Sequence, residues 1–170
     1  MSKVTIDFVS DVACPWCAVG LGGLLTAMER VKGEADVELR FRPFELNPDM
    51  PKGGQNTIER LMAKYGYDRE QVQANRKVIT ERAAAVGMRM RMAEDNRSFN
   101  TFDAHRLLHW AGLQGQASQT ALKKRLLETY HYDNQDTADA DVLARAAADA
   151  GLDEACLLYT SDAADDSLRV

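Results

Sequence analysis

The chain has 170 residues, 45% of them apolar and 28% charged, with a net charge of −5. That composition is one of a soluble globular domain, with room for an insertion, which can bury a core without disulfide staples. The acidic balance argues against nucleic acid or an anionic membrane as the main partner, and no apolar run reaches transmembrane length. Met1-Ser2-Lys3-Val4 leads into a strand with no apolar signal core, so the expected location is the cytoplasm. Three cysteines do not make a disulfide framework; in a reducing compartment a close pair points to catalysis or metal binding.

Residues 3–9 read as a strand, with Val4, Ile6 and Phe8 alternating with Thr5 and Asp7. Ser10-Asp11-Val12-Ala13 is the turn after it. Residues 15–32 follow helical spacing through Leu21, Leu24, Leu25, Met28 and Val31. Pro15 suits the first helical position, and Gly33 the end. Gly20, Gly22 and Gly23 each cost about 1 kcal/mol against Ala inside a helix. Leu25 stands where the last glycine of G-x-G-x-x-G belongs, and no P-loop lysine follows. The glycines are therefore expected to let the helix pack closely on a sheet.

Residues 37–42 form the second predicted strand, with Val37, Leu39 and Phe41 on one face and Pro43 ending it. The loop from Phe44 to Pro51, followed by Gly53-Gly54, is a natural seam. Helices follow. One starts near Asn56 or Thr57 and carries Ile58, Leu61, Met62 and Tyr65. The next starts at Asp68, with Gln71 as its capping-box partner, buries Val72, Ile79, Ala83 and Val86, and ends at Gly87. Met88 to Met92 alternate with Arg89 and Arg91 as an extended connector, whose methionines pack inward and whose arginines are solvated. Asn100 or Thr101 caps a helix through Ala104, Leu107, Leu108 and Ala111. Residues 118–131 form another, with Leu122, Leu126 and Leu127 inward. Asp139 or Asp141 begins the last, which Gly151 closes.

The chemistry concentrates in Cys14-Pro15-Trp16-Cys17, between the first strand and its helix. Strand, Cys-x-x-Cys, helix is the setting of a redox dithiol. The attacking species is a thiolate, and the unpaired N–H groups of a helix N-terminus favour that anion. Cys14 is thus the expected nucleophile. Cys17, one turn in and expected to be more buried, is the resolving thiol. Pro15 and Trp16 support the loop, Trp16 as an apolar surface for a polypeptide. A zinc pair would need two more ligands, and Cys156 is remote, so no metal site is expected. His105 and His109 share a helix face, but Arg106 replaces the Glu of H-E-x-x-H and no third ligand follows. Asp7 and Glu45 are read as surface charges, with proton handling near the dithiol as the alternative.

Three stretches together resemble the cytoplasmic, FrnE-like branch of the DsbA family: Asp11-Val12-Ala13-Cys14-Pro15-Trp16-Cys17, Phe41-Arg42-Pro43-Phe44-Glu45-Leu46-Asn47-Pro48, and Asn100-Thr101-Phe102-Asp103-Ala104-His105-Arg106-Leu107. The resemblance implies an α/β, thioredoxin-like fold, with its N-terminal β-α-β half at residues 1–50 and an inserted all-helical domain at 51–155. It also implies thiol–disulfide oxidoreductase or isomerase activity on protein thiols, with the redox pair carried over onto Cys14 and Cys17. Asn100 and His105 are placed near the dithiol as site-lining candidates. The family's C-terminal β-β-α half, led by a cis-proline, has no counterpart here, because no proline follows Pro51. Residues 156–170 resemble translated adapter sequence and are expected to be a non-native tail.

The implied chemistry needs no cofactor beyond the redox-active disulfide. Glutathione is a candidate co-substrate, and glutathione or a thioredoxin-type protein a candidate reductant. Two competing functions remain. Kappa-class glutathione transferases and 2-hydroxychromene-2-carboxylate isomerases share the wider fold, but usually begin the active-site loop with Ser where Cys14 stands. The other competitor is an inactive fragment or a helical binding module.

Overall fold

The structure, a computed structural model, describes residues 2–152. The expectations for the tail, including Cys156, lie outside the described residues. Strands β1 (Ser2–Ser10) and β2 (Ala35–Pro43) lie parallel, joined by helix α1 (Pro15–Arg30). Val4 pairs with Val37, Ile6 with Leu39 and Phe8 with Phe41, so the apolar positions of both strands share a face. This is the expected β-α-β unit.

The helices then follow in order: α2 (Thr57–Tyr65), α3 (Arg69–Ala85), α4 (Phe102–Leu113), α5 (Gln116–Glu128) and α6 (Ala140–Asp149). The starts of α2, α3, α4 and α6 are set by side chains that satisfy first-turn N–H groups. Asn56 Oδ1 accepts from the N–H groups of Ile58 and Glu59. Asp68 and Gln71 form the full capping box, at 2.8 and 3.0 Å. Asp139 accepts from Asp141 and Val142. At α4 the two candidates divide the work. Asn100 Oδ1 accepts from the Phe102 N–H at 2.9 Å, while the Thr101 hydroxyl turns inward.

Two features depart from expectation. Residues 118–131 do not form one regular helix. Regular α5 stops at Glu128, and Thr129–Asp133 forms a π-helical turn that buries Thr129, Tyr130 and His131 in succession. A two-residue ladder, β3 (Gln55–Asn56) against β4 (Arg97–Ser98), also pins the start of α2 to the segment before α4.

The glycines of α1 behave differently from the expected packing on a sheet. Gly22 faces the chain just past α3: a Cβ there would lie 2.7 Å from Val86 Cγ2 and 2.8 Å from the Val86 carbonyl oxygen. Gly20 merely touches the Phe8 ring, and Gly23 meets nothing. The close contact is helix against helical segment.

The core forms two groups of buried side chains. One gathers α4, α5 and α6 around Leu107, Leu122, Leu126 and Leu143, and takes in Val12. The other sets Ala18, Leu21 and Leu39 against Ile79, Ala83, Met88, Met90 and Leu127. Helix α5 contributes to both, and Gln116 Oε1 accepts the backbone N–H of Leu39 at 2.9 Å. Helix α5 therefore lies against the β-α-β unit and behind the turn that carries Cys14.

Candidate active site

Cys14 is the N-cap of α1, in an extended conformation (φ −91°, ψ 111°), with Pro15 opening the helix and no carboxylate in the first turn. The Cys17 N–H donates to the Cys14 carbonyl at 3.1 Å. The free N–H end of a helix, with no acidic side chain competing for it, favours a sulfur anion. Both thiols are free and half-buried, so Cys17 is not the distinctly buried partner expected. What separates them is direction. Cys14, Pro15 and Trp16 line a cleft of about 520 Å³, and Cys17 does not. Trp16 is 52% exposed.

The two thiols hydrogen-bond to each other and titrate as a pair. The bond from Cys14 pulls Cys17 down to about 6. Burial opposes this, while the Asp11 N–H and the charge of Lys123 reinforce it. Cys14 is pushed far above the free-thiol range, first because its proton is held in that bond, then by burial and by the neighbouring anion. The pair thus keeps one shared proton and gives up the other easily.

Asp11 holds the turn from below. It is 1% exposed. Its Oδ1 accepts from the Ala13 N–H at 3.1 Å, the Thr101 hydroxyl at 2.8 Å and His105 Nε2 at 3.2 Å. Its Oδ2 accepts from the Leu46 N–H at 2.6 Å. Burial alone would raise its pKa, but the bond from His105, the N–H groups of Leu46 and Ala13 and the Thr101 hydroxyl together hold it below 3.8. An ionised carboxylate only accepts, so Nε2 of His105 carries the hydrogen.

Two further groups close the underside. Lys123, on α5, is 1% exposed and lies 6.0 Å above the Phe41 ring centroid. Burial lowers its pKa to about 8, against the pull of Cys17, Asp11 and Cys14. No ion pair holds it among the described residues. His131, in the π-turn, donates from Nε2 to the Val12 carbonyl at 2.9 Å. Burial drives its pKa down to about 4, so the ring is neutral.

The structure brings some of the sequence candidates together and not others. His105 reaches the dithiol turn through Asp11 and does not line the cleft. Asn100 ties the start of α4 to the loop, donating to the Pro48 carbonyl at 3.2 Å. Asp7 is an exposed partner of Arg42 at 2.8 Å. His109 is exposed on α4, at a small pocket it shares with His105 and Lys123. Arg89 is not merely solvated: it pairs with Glu128 at 2.7 Å and stacks over the Tyr132 ring. Met92 lines the cleft, while Met88 and Met90 are buried. Among the described residues, no group of three or more His, Cys, Asp or Glu is placed to hold a metal ion.

Lys123 and His131 escaped the sequence reading. The signal for Lys123 was present: it stands three and four residues before Leu126 and Leu127, on the buried stripe. His131 carried the same kind of signal, standing four residues after Leu127.

The model of the DSBA-like thioredoxin domain matches residues 5–169. The chain belongs to that family. DSBA-like proteins are thiol–disulfide oxidoreductases of mixed α/β fold, which is the class the sequence resemblance pointed to. A probable DsbA oxidoreductase, SCO1869, from Streptomyces coelicolor is 33% identical, with a TM-score of 0.81, over 93% of this chain and 67% of that one. The uncharacterized protein YwbO of Bacillus subtilis is 26% identical over 89% of this chain and 68% of its own length. The cytosolic disulfide reductase DsbM from Pseudomonas aeruginosa, solved with GSH, shares the fold at 16% identity and a TM-score of 0.55, over 97% of this chain and 74% of that one. No helix among the described residues is long and apolar enough to cross a membrane.

Proposed function

We propose that this DSBA-like chain exchanges disulfides with protein substrates through Cys14 and Cys17, as a reductase or isomerase of the cytoplasm. The observation that carries this is directional: Cys14 caps α1 and opens on the cleft, with Cys17 bonded behind it. The shared proton shifts to Cys17 as Cys14 attacks one sulfur of a substrate disulfide. The Cys14–substrate bond forms and the substrate S–S bond breaks, releasing one thiolate. Cys17 then attacks Cys14, forming the Cys14–Cys17 disulfide and releasing the second thiolate. The dithiol is oxidised, the substrate is reduced, and the two released thiolates take up the shared proton and one from solvent. A low-molecular-weight thiol such as glutathione, or a thioredoxin-type protein, returns the electrons.

Reduction of insulin disulfides by a thiol-regenerated enzyme tests the assignment. Cys14→Ser is expected to abolish turnover, and Cys17→Ser to accumulate a mixed disulfide on Cys14. Full turnover in Cys14→Ser, or adducts found only on Cys17, would overturn it.

A further inference from the structure

The cleft on which Cys14 opens has an unusual charge. Arg60, Lys64, Arg76 and Arg97 all line it, and no carboxylate does among the described residues. The chain as a whole carries a net charge of −5, so four cations and no acid around one cavity is a local reversal.

Among the described residues, none of the four is neutralised by an ion pair, although eight other Lys and Arg residues are: Lys3, Lys32, Arg40, Arg42, Arg69, Arg89, Arg106 and Arg125. The cleft cations bond to neutral groups instead. Arg60 donates to the Ser98 hydroxyl at 3.1 Å and to Asn47 Oδ1 at 3.0 Å. Lys64 donates to the Leu46 carbonyl and Asn47 Oδ1. Arg97 donates to the carbonyls of Gly53 and Gly54, and Arg76 to that of Ala93 at 2.7 Å. Arg76 is buried and feels Glu94, a residue off the cleft that is engaged by Arg69 and Gln73. Bonds to neutral acceptors orient these cations without cancelling their charge. Tyr65 and Tyr67, stacked at 5.7 Å, add an exposed aromatic step to the same cleft.

Resting on the assignment of Cys14 as the attacking sulfur, we infer that the cleft selects substrates whose reactive sulfur is flanked by carboxylates. Cationic walls attract such groups during encounter and hold them once bound. The volume of about 520 Å³ is of the size that takes a short peptide segment or a small acidic thiol. Both sources present the same chemistry, a sulfur with carboxylates beside it. A cysteine flanked by lysines would meet unpaired like charges and be rejected.

Binding, measured without redox chemistry, separates this inference from the assignment beneath it. The probes are S-methylated cysteine peptides with Asp/Glu, Ala or Lys flanks, and S-methylglutathione. They are titrated calorimetrically into the Cys14→Ser/Cys17→Ser protein. At low salt the acidic peptide is expected to bind at least about tenfold tighter than the Lys-flanked one, from two or more weak ion pairs. The gap should shrink at about 0.5 M salt. Arg60→Gln with Lys64→Gln should close most of it, Lys64→Gln alone about half, and Arg60→Lys should retain it. Lys64 is exposed, so its variant remains informative if the Arg60 changes disturb folding. Preference for the acidic peptide, for S-methylglutathione or for both supports the inference and identifies the source. Equal binding of acidic and Lys-flanked peptides, or a preference that survives both Gln changes, overturns it while leaving the dithiol assignment to its own test.

Discussion

Thr101 donates its hydroxyl to Asp11 Oδ1 at 2.8 Å, a buried bond that joins the end of β1 to the start of α4 across 90 residues of sequence. A neutral donor on a buried carboxylate forms a charge-assisted bond, and its loss leaves the anion under-satisfied. Thr101→Val keeps the shape and removes the donor. It should cost about 1.5–3 kcal/mol at neutral pH, read by urea unfolding. The sign with pH follows from Asp11, whose folded pKa lies below its ordinary 3.8. Its contribution is present above that value and is lost as pH falls through the folded pKa. The gap between wild type and Thr101→Val should therefore narrow in acid. A gap that stays constant as pH falls from 3.8 on through the folded pKa of Asp11 would show that Asp11 is not the partner that matters.

Lys123 is the natural control on the dithiol. Lys123→Met keeps a long apolar stem in place and removes the charge. Cys17 should then titrate higher than about 6, because one of the groups favouring its anion has gone. The change should be smaller than that caused by Cys14→Ala, which removes the principal bond. The same variant should be more stable by about 1 kcal/mol or more, since a buried amine without an ion pair is replaced by a methionine. Ultraviolet thiolate absorbance against pH reads the first effect and urea unfolding the second. An unchanged thiol titration would remove Lys123 from the site.

Much of this architecture was readable from local pattern. Alternation in residues 3–9 and 37–42 located both strands, and the Asp68/Gln71 pair located the start of α3, because each signal lies within a few residues of its cause. The Cys-x-x-Cys at a strand–helix junction located the candidate site for the same reason. What stayed hidden depends on distant partners. The four donors to Asp11 come from its own turn, from Leu46 and from α4. The reversed charge of the cleft arises because Arg60, Arg76 and Arg97, on α2, α3 and β4, converge only when the chain is folded. Gly22 advertised close packing, but its partner, Val86, lies 64 residues on. The π-turn at Thr129–Asp133 continues a helical pattern and differs only in its hydrogen bonding, so periodicity alone extends the helix through it.

His131 should make stability depend on pH through a different window from Asp11. Its folded pKa is about 4 against an ordinary value of 6.5, because burial excludes the cation. The unfolded chain binds the proton first, so the stability is fully present above 6.5 and is lost as pH falls from there towards 4. The full swing is on the order of 3 kcal/mol, at 1.36 kcal/mol per pH unit. His131→Gln retains a donor for the Val12 carbonyl and does not titrate. Its stability should be flatter across that window, as read by urea midpoints. The same slope in both proteins would mean that another group titrates.

The glycines of α1 offer paired substitutions with opposite signs. Gly22→Ala gains helix propensity of about 1 kcal/mol, but its methyl would meet Val86 Cγ2 at 2.7 Å, the Val86 carbonyl oxygen at 2.8 Å and Met88 Cγ at 2.9 Å. The carbonyl belongs to backbone that already ends α3, so it does not swing aside as a side-chain tip would. Overpacking of this kind costs about 1–3 kcal/mol, and Gly22→Ala should destabilise. Gly23→Ala meets nothing within 4 Å, so it should stabilise by about 0.5–1 kcal/mol through propensity alone. The pair shares a helix, a residue type and a substitution, which leaves the neighbouring backbone as the variable. Thermal and urea unfolding of the two variants decides the matter, and shifts of the same sign would refute the close approach of α1 to the end of α3.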